Sequence, residues 1–329
     1  MTLSRRQFLA ALAISSVGAP KLLAGVKAAA PPPVPARRCS WVDNLNPKTI
    51  AIVGDVQRTS MAEYNFMGRA QNDTEREAIL NAIADDKPDM LLMLGDQVVT
   101  GDDDSEWAYF DRCMEKIVEG GIPVRSILGN HDYGESKARS LHCCYDRFPY
   151  QNGSIHTLVR LGSLALITLN TNLDQLSSSE IKNQEKDYND WITELDKDST
   201  VRGVLVAAHH PPYTNSDLGM STEIVESFAK PFLNARKTRL FLSGHVHSYE
   251  RFVAGDKMFV TSGGGGGPRR VIDISSSRPF QNDAYRVGSL RPFHYIRLKV
   301  GDNDLKAEVV MLQKGQFKVG DRFSVGLYG

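Results

Sequence analysis

The chain has 329 residues, of which 41% are hydrophobic and 24% are charged. These proportions are typical of a folded globular protein and exclude a disordered, collagen-like or membrane-spanning chain. Thirty-nine Lys and Arg balance 39 Asp and Glu, so the formal net charge is zero. Without an excess of basic residues, we expect no binding to the phosphate backbone of nucleic acids.

Residues 1–30 have the features of an export signal. Arg5 and Arg6 precede an apolar stretch from Phe8 to Ala19, and small residues at 28–30 end the segment before three prolines. The apolar stretch is too short to span a bilayer, and the paired arginines ahead of Phe-Leu resemble a twin-arginine signal. We therefore predict a prokaryotic protein that the twin-arginine translocation machinery exports, already folded, to the periplasm or the medium, with no stable membrane anchor.

Removal of that segment would change the charge balance of the chain. It takes away four basic residues and no acidic ones, leaving 35 Lys and Arg against 39 Asp and Glu, a net charge of −4. Residues 31–47 are rich in Pro and Asn and are predicted to be a linker into a single domain at 48–329. The four cysteines contain no C-x-x-C pair, which excludes a cysteine zinc ribbon and leaves packing or one disulfide as their role.

Short apolar runs and amphipathic helices alternate along this domain. The apolar runs predict strands at 49–53, 90–94, 124–128, 164–169, 204–208 and 240–242. Helical spacing of apolar residues predicts helices at 72–84, 105–118 and around 181–195. Such repetition implies right-handed βαβ units with mainly parallel pairing. Beyond residue 290 the pattern alternates, as at 294–300, which predicts antiparallel strands that close a sheet.

Polar residues that can bind metals follow the predicted strands. They are Asp55, Asp96, Asn130 with His131, His209 with His210, and His245 with His247. Five of the eight histidines fall in these loops, too many to be explained by packing. Functional groups of α/β sheets gather beyond the carboxyl ends of strands, so we predict one site there.

The residue types at these positions indicate the chemistry of the site. Carboxylate, amide and imidazole ligands without a thiolate suit Mn, Fe or Zn. A carboxylate can bridge two such ions, which clamp the attacking and leaving oxygens of a displacement at phosphorus, with a shared hydroxide as nucleophile. His131 adjoins Asn130 and is predicted to face the substrate, as a general acid or as a donor to the phosphoryl oxygens.

Five segments resemble the motifs of the calcineurin-like metallophosphoesterases, in order over residues 50–250. They are Gly54-Asp55, Gly95-Asp96, Gly129-Asn130-His131-Asp132, Ala208-His209-His210-Pro211-Pro212 and Gly244-His245-Val246-His247. The following Ser248-Tyr249-Glu250-Arg251 is similar to the purple acid phosphatase branch. The resemblance implies an α/β fold, a four-layer α-β-β-α sandwich of two mixed sheets flanked by helices.

The resemblance also implies how two metal ions would be held. Asp96 would bridge them. The other ligands would be Asp55 and His247 for the first ion, and Asn130, His209 and His245 for the second. His210 stands beside a ligand, and either packs behind the metal site or contacts the substrate.

Two positions depart from the family pattern. Most members have His two residues after the first Asp, where this chain has Gln57. Purple acid phosphatases supply a Tyr three residues after the bridging Asp, where this chain has Val99. Three roles are open for Gln57: coordination through its carbonyl oxygen, contact with bound water, or a hydrogen bond within the loop.

Five glycines, Gly263–Gly267, are followed by Pro268, Arg269 and Arg270. The glycines are predicted to form a flexible turn or, with the arginines, a phosphate cradle at the rim of the site. His142, His156 and His294 match no motif and are treated as ordinary residues.

The leading hypothesis is an exported two-metal phosphoesterase that hydrolyses phosphate monoesters of small molecules through the metal-bridging hydroxide. A phosphodiesterase or nucleotide pyrophosphatase with the same metals is the alternative reaction. A metal-holding binding protein without turnover is the alternative of another class, motivated by the missing His and Tyr. The presence of His131 argues against it, because holding a metal does not require that residue.

Overall fold

A computed structural model describes residues 38–41, 44–151 and 153–328. The predicted export signal lies outside these residues, and the predicted linker is described only in part. Within it, Cys39 is buried, and its N–H donates to the carbonyl of Arg147 at 2.8 Å. The chain therefore contacts the folded domain at Cys39.

The described strands and helices alternate through most of the chain. In chain order, the strands are β1 (Thr49–Val53), β2 (Met90–Met93), β3 (Val124–Ser126), β4 (Thr157–Leu161), β5 (Leu164–Leu169), β6 (Gly203–Ala208), β7 (Thr238–Ser243), β8 (Tyr249–Ala254), β9 (Lys257–Ser262), β10 (His294–Val300), β11 (Asp304–Gln313) and β12 (Gln316–Gly326). The α-helices are α1 (Met61–Met67), α2 (Asp73–Asp86), α3 (Asp104–Cys113), α4 (Glu115–Glu119), α5 (Lys137–Arg147), α6 (Ser178–Lys197), α7 (Thr222–Ile224) and α8 (Lys230–Asn234), with a π-helical turn (Val225–Ala229) between the last two.

Two mixed sheets form the centre of the domain. The first has the order β12-β11-β10-β1-β2-β3, in which β1, β2 and β3 are parallel and β10, β11 and β12 are antiparallel. The second has the order β4-β5-β6-β7-β9-β8, with parallel pairing from β5 to β9 and an antiparallel strand at each edge. The antiparallel strands expected after residue 290 are thus confirmed as β10 to β12.

Successive side chains along a strand point to opposite faces of the sheet and so belong to different cores. In β1, Ile50 and Ile52 lie in a core that also contains Leu166 and Leu205 of the second sheet. The neighbouring Ala51 and Val53 lie in a core shared with helices α2 to α5. A third core joins the second sheet to α6, α7 and α8. Because these strands are buried on both faces, they read as continuous apolar runs. The four-layer α-β-β-α sandwich is confirmed.

The predicted helix at 105–118 is divided in the structure. Met114, at φ −84° and ψ −3°, separates α3 from α4 while keeping a right-handed helical backbone. Phe110 and Ile117 are about two helical turns apart, so both face the first core across this break. Among the described residues, no helix combines the length and apolar character needed to cross a membrane. All four cysteines are free thiols.

Candidate metal centre

The loops after β1, β2 and β7 hold predicted ligands in an unusual backbone conformation. Asp55, Asp96, His245 and His247 have φ of 58°, 55°, 69° and 50°. Among the described residues only three other non-glycine residues have positive φ. The left-handed region is costly for residues with a Cβ and is concentrated at functional sites, so this backbone points to a site built for function.

One group of predicted ligands gathers around the end of β1. The ligand atoms of Asp55, Asp96 and His247 all lie within 4.8 Å of one another, and all three residues are buried. His247 Nε2 is 3.3 Å from Asp55 Oδ1, while its Nδ1 is 3.0 Å from the carbonyl of Pro268. Metal-binding histidines commonly have one ring nitrogen held by a backbone carbonyl, which leaves the other free for the metal.

A second group lies on the other side of Asp96. His209 Nε2 is 3.2 Å from Asn130 Oδ1 and 3.4 Å from Asp96 Oδ2. Its Nδ1 is held by the carbonyl of Leu94 at 2.8 Å, again leaving Nε2 toward the other ligands. The ring of His245 is 5.1 Å from that of His209, between centroids. The structure thus brings together all six residues predicted as principal ligands.

The glycines that precede these ligands have a steric role. A Cβ on Gly129 would overlap the carboxylate of Asp96, and a Cβ on Gly95 would lie 2.5 Å from His209 Nδ1. Only glycine allows the strand ends to approach so closely. The Gly-Asp and Gly-Asn pairs in the sequence therefore reflect crowding in the site.

The charges of the two groups fit a cation. Among the described residues, neither Asp55 nor Asp96 forms an ion pair with a Lys or Arg. Burial opposes the charged form of His209, but the carboxylate of Asp96 outweighs it and raises the pKa of His209 to about 9. Burial and the charge of His209 lower the pKa of His245 well below its usual value. Bound cations would take over the charge compensation that the proton on His209 provides.

Gln57 lies inside the first group. Its Nε2 donates to Asp96 Oδ2 at 3.1 Å and is 3.0 Å from His247 Nε2, while its Oε1 is buried without a hydrogen-bond partner. The two ends of an amide are exchangeable by rotation. Rotation would turn Oε1 toward Asp96 and His247, a placement that is favourable only with a cation between them. Of the three roles open for Gln57, this geometry fits coordination best.

Val99 brings no side-chain ligand to the first group. Its carbonyl lies 2.9 Å from His131 Nδ1, so the residue acts on the site through its backbone. His131 is half-buried, and its backbone N–H donates to Asp96 Oδ1 at 2.8 Å. With Nδ1 fixed by Val99, the ring nitrogen left for other partners is Nε2. His131 is therefore positioned as a proton donor or acceptor beside the ligands.

His210 lies closer to the second group than a purely peripheral residue would. Its ring is 4.3 Å from that of His245, and the ligand atoms of His209, His210 and His245 lie within 4.8 Å of one another. Its Nδ1 is 3.0 Å from the hydroxyl of Thr171. Burial and the charge of His209 lower the pKa of His210 to about 3, so it is a neutral imidazole.

Asp132 organises the centre, a role that the sequence analysis missed. Its carboxylate accepts the backbone N–H groups of Asp96, Gln97, Val98 and Gly129 at 2.8–3.3 Å. It therefore ties the loop after β2 to the loop after β3. Its position in the Gly-Asn-His-Asp motif was the only feature of the sequence that indicated such a role.

The five glycines at 263–267, here called the glycine strap, are buried. The N–H groups of Gly263, Gly265 and Gly267 donate to the carbonyls of Ser248, Gly54 and Asp55 at 2.8–3.0 Å. The prediction of a flexible turn is wrong, and three of the five N–H groups are not free to cradle phosphate. The strap packs against the metal centre as a close-fitting support.

Two residues under the strap also escaped the sequence analysis. His294, treated as ordinary, lies against Gly264 with its ring fully buried. Arg76 lies against Gly266, and its Nη2 donates to the carbonyl of Gln57 at 2.7 Å. The positions of His294 and Arg76 result from contacts between segments that are distant in sequence. Helical or strand periodicity does not predict such contacts.

Comparison with known proteins places this centre in a family. The model of the family described as calcineurin-like phosphoesterase matches residues 48–249. Purple acid phosphatase 15 of Arabidopsis thaliana is 27% identical over 239 residues, which are 62% of this chain and 41% of that protein. A probable cyclic nucleotide phosphodiesterase of Synechococcus sp. is 27% identical over 184 residues, which are 54% of this chain and 64% of that protein.

A solved structure shares the fold. The purple acid phosphatase PPD1 from yellow lupin (Lupinus luteus) seeds superposes with a TM-score of 0.66 at 18% identity, covering 86% of this chain and 54% of that one. This chain thus matches less than two thirds of the length of both curated relatives.

Proposed function

Because the chain belongs to the calcineurin-like phosphoesterase family, we propose that it is a two-metal phosphoesterase that hydrolyses phosphate monoesters. The observation that supports this proposal most directly is the position of Asp96 between the two ligand groups. Its Oδ2 lies 3.1 Å from Gln57 Nε2 in the first group and 3.4 Å from His209 Nε2 in the second. One carboxylate oxygen therefore faces both groups, as a bridging ligand must.

The ligand sets follow from the two groups. Asp55, His247 and the carbonyl oxygen of Gln57 would hold the first ion, and Asn130, His209 and His245 the second, with Asp96 shared. Oxygen and imidazole ligands without thiolate suit Mn, Fe or Zn. When bound, the ions would activate the attacking water and neutralise charge on the phosphoryl oxygens.

The residues of the chain supply the remaining steps. His131, whose Nδ1 is fixed by Val99, would use Nε2 to protonate the leaving oxygen or to donate a hydrogen bond to the phosphoryl group. His210, neutral and next to His245, would contact the substrate. Asp132 would keep Asn130 and Asp96 in register by holding both loops.

The named relatives support two different ester classes. The plant relative is a phosphatase and supports the monoester. The cyanobacterial relative is a probable cyclic nucleotide phosphodiesterase and supports the diester alternative. We favour the monoester because the sequence following the last ligand, from Ser248 to Arg251, resembles the phosphatase branch.

Hydrolysis of p-nitrophenyl phosphate and bis-p-nitrophenyl phosphate by the protein loaded with Mn, Fe or Zn distinguishes these classes. We expect the monoester to be preferred and its turnover to be abolished by Asp96→Ala. His131→Ala should lower kcat by roughly 10²–10⁴-fold, the usual contribution of a general acid. A preference for the diester would favour the alternative, and two bound ions without any turnover would favour a metal-binding protein.

The proposal extends to export of the folded protein. Arg5 and Arg6 would direct the chain to the twin-arginine translocation machinery, and the mature enzyme would act on small phosphorylated compounds in the periplasm or the medium. Replacing both arginines with Lys should leave the protein inside the cell in an export assay. Continued export of that variant would contradict this part of the proposal.

A further inference from the structure

A groove of about 1210 Å³ opens beside the metal centre. Its lining includes residues of the segments 67–72, 215–217 and 268–275. The last of these segments is attached directly to a predicted ligand. The carbonyl of Pro268 holds His247 Nδ1 at 3.0 Å, and the N–H of Arg270 donates to the carbonyl of His247 at 3.3 Å. Pro268 therefore both lines the groove and contacts His247, a predicted ligand of the first ion.

Two arginines give the near end of the groove a positive charge. Arg69 Nη1 donates to the carbonyl of Pro268 at 3.3 Å, and the guanidinium of Arg269 lies over the ring of Phe293, 5.0 Å from its centroid. Within the part of the chain that the structure describes, neither arginine forms an ion pair with an Asp or Glu. Both guanidinium groups therefore keep charge and donors for an anion of a ligand.

Part of the groove wall is apolar and open to solvent. The rest of the lining is polar, and its two acidic residues have partners there: Asp217 pairs with Arg270 at 3.3 Å, and Asp273 accepts the N–H of Ser275 at 2.8 Å. Met67, Val271, Ile274 and Leu290 line it with 58%, 60%, 41% and 48% of their surface exposed. Single exposed apolar side chains are common on proteins, but several in one concave surface beside a catalytic centre are typical of a ligand site. The volume is also far greater than one phosphoryl group requires.

We propose that this groove binds the leaving group of the substrate, and that the leaving group carries a second anionic group next to an apolar body, as a nucleoside diphosphate does. The inference rests on the proposed phosphoesterase function and names its substrate class. The second anion would contact Arg69 and Arg269, and the apolar body would lie against Met67 and Leu290. A simple monoester such as p-nitrophenyl phosphate would leave most of the groove unused.

ADP illustrates the reaction that this geometry favours. Water attacks the terminal phosphorus, and the bond from that phosphorus to the bridging oxygen breaks. The bridging oxygen leaves on AMP, and the oxygen of the water remains in inorganic phosphate, with one proton released. The phosphate that remains on AMP is the second anion held by the two arginines.

The test compares kcat/KM for ADP and AMP, with p-nitrophenyl phosphate as the reference substrate. We expect the native enzyme to prefer ADP at least tenfold, because AMP places its only phosphate at the metals and offers no second anion. The double variant Arg69→Ala/Arg269→Ala should lower the ADP-to-AMP ratio at least tenfold, since the difference between an anhydride and an ester leaving group is the same in both enzymes. Arg322→Ala removes an exposed arginine of β12, outside the groove, and should leave the ratio as in the native enzyme.

A separate variant tests the apolar wall. Leu290→Asp should lower kcat/KM for both nucleotides relative to p-nitrophenyl phosphate. A native ADP-to-AMP ratio near one, or a ratio that the double arginine variant leaves unchanged, would overturn the inference while p-nitrophenyl phosphate turnover kept the proposed function intact. Absence of turnover with all three substrates in every metal would overturn both.

Discussion

Backbone strain marks the residues that carry the chemistry. Asp55, Asp96, His245 and His247 each adopt a left-handed conformation, which costs on the order of 1–3 kcal/mol per residue. The hydrogen bonds around them offset this cost: both oxygens of Asp55 accept the N–H of His245, at 2.8 and 2.9 Å. This backbone conformation brings the ligand atoms of different loops close together, as with Asp55, Asp96 and His247.

Gln57 is the residue whose role decides the character of the first site. If its carbonyl oxygen coordinates, Gln57→His should strengthen Zn²⁺ binding at that site by roughly tenfold, because imidazole is the better ligand for zinc, and Gln57→Ala should weaken it by a similar factor. Isothermal titration calorimetry of the metal-free protein measures both effects without relying on turnover.

Gln97 provides the matched control for Gln57. It is equally buried, but its Nε2 donates to Ser126 and to the carbonyl of Ile127 instead of facing the ligands. Gln97→Ala should therefore leave metal affinity close to native. Equal losses of affinity in Gln57→Ala and Gln97→Ala would show that Gln57 has no special contact with the metal.

Val99 leads to a spectroscopic prediction. Its side chain has no oxygen, so the iron-loaded protein should lack the tyrosinate-to-iron charge-transfer band that gives purple acid phosphatases their colour. Visible absorption of the iron-loaded protein measures this directly, and Val99→Tyr is expected to introduce the band. A purple native protein would contradict the ligand assignment at the first site.

The principal ligands could be predicted from the sequence because each follows an apolar run that ends at Gly or Ala. The contacts of Asp132 with the loop after β2 and of Arg76 with Gln57 could not be predicted. Their partners lie 34 to 36 and 19 residues away, and periodicity carries no information about such contacts. For Gln57, the sequence left three roles open, and the position of its amide beside Asp96 and His247 favours coordination.

At the scale of elements, the glycine strap joins the second sheet to the metal centre. A Cβ on Gly264 would overlap the ring of the buried His294. We expect Gly264→Ala to lower the free energy of unfolding by roughly 1–3 kcal/mol, the usual cost of overpacking a core. Urea denaturation of the metal-free protein measures this change.

Gly326, at the end of β12, is the control for the strap. Its Cβ would meet nothing within 4 Å, and its φ lies outside the left-handed region. Gly326→Ala should therefore change the free energy of unfolding by less than about 0.5 kcal/mol. Equal stability of the two variants would show that the strap yields to an added methyl group.

The strands themselves were predictable because burial on both faces makes each an apolar run. Their order was not, since β10 lies beside β1 in the first sheet although more than 240 residues separate them. Such pairings depend on which apolar faces remain uncovered after the helices have packed.

At the scale of the whole molecule, three cores hold two sheets and their helices in fixed positions, so that loops from both sheets meet at one edge. The contact from His209 Nδ1 to the carbonyl of Leu94, at 2.8 Å, joins the second sheet to the first at that point. Separation of the sheets would divide the ligand set between them. The metal centre is therefore a property of the complete sandwich.

The number of metal ions needed for turnover tests this account most directly. Mn²⁺ is added stepwise to the metal-free protein, and both bound metal and the initial rate of p-nitrophenyl phosphate hydrolysis are measured. We predict that the rate rises until two ions are bound per chain and then levels off, and that Asp96→Ala shows no rise. Full binding of two ions without hydrolysis, or full activity with one ion, would contradict the two-metal phosphoesterase.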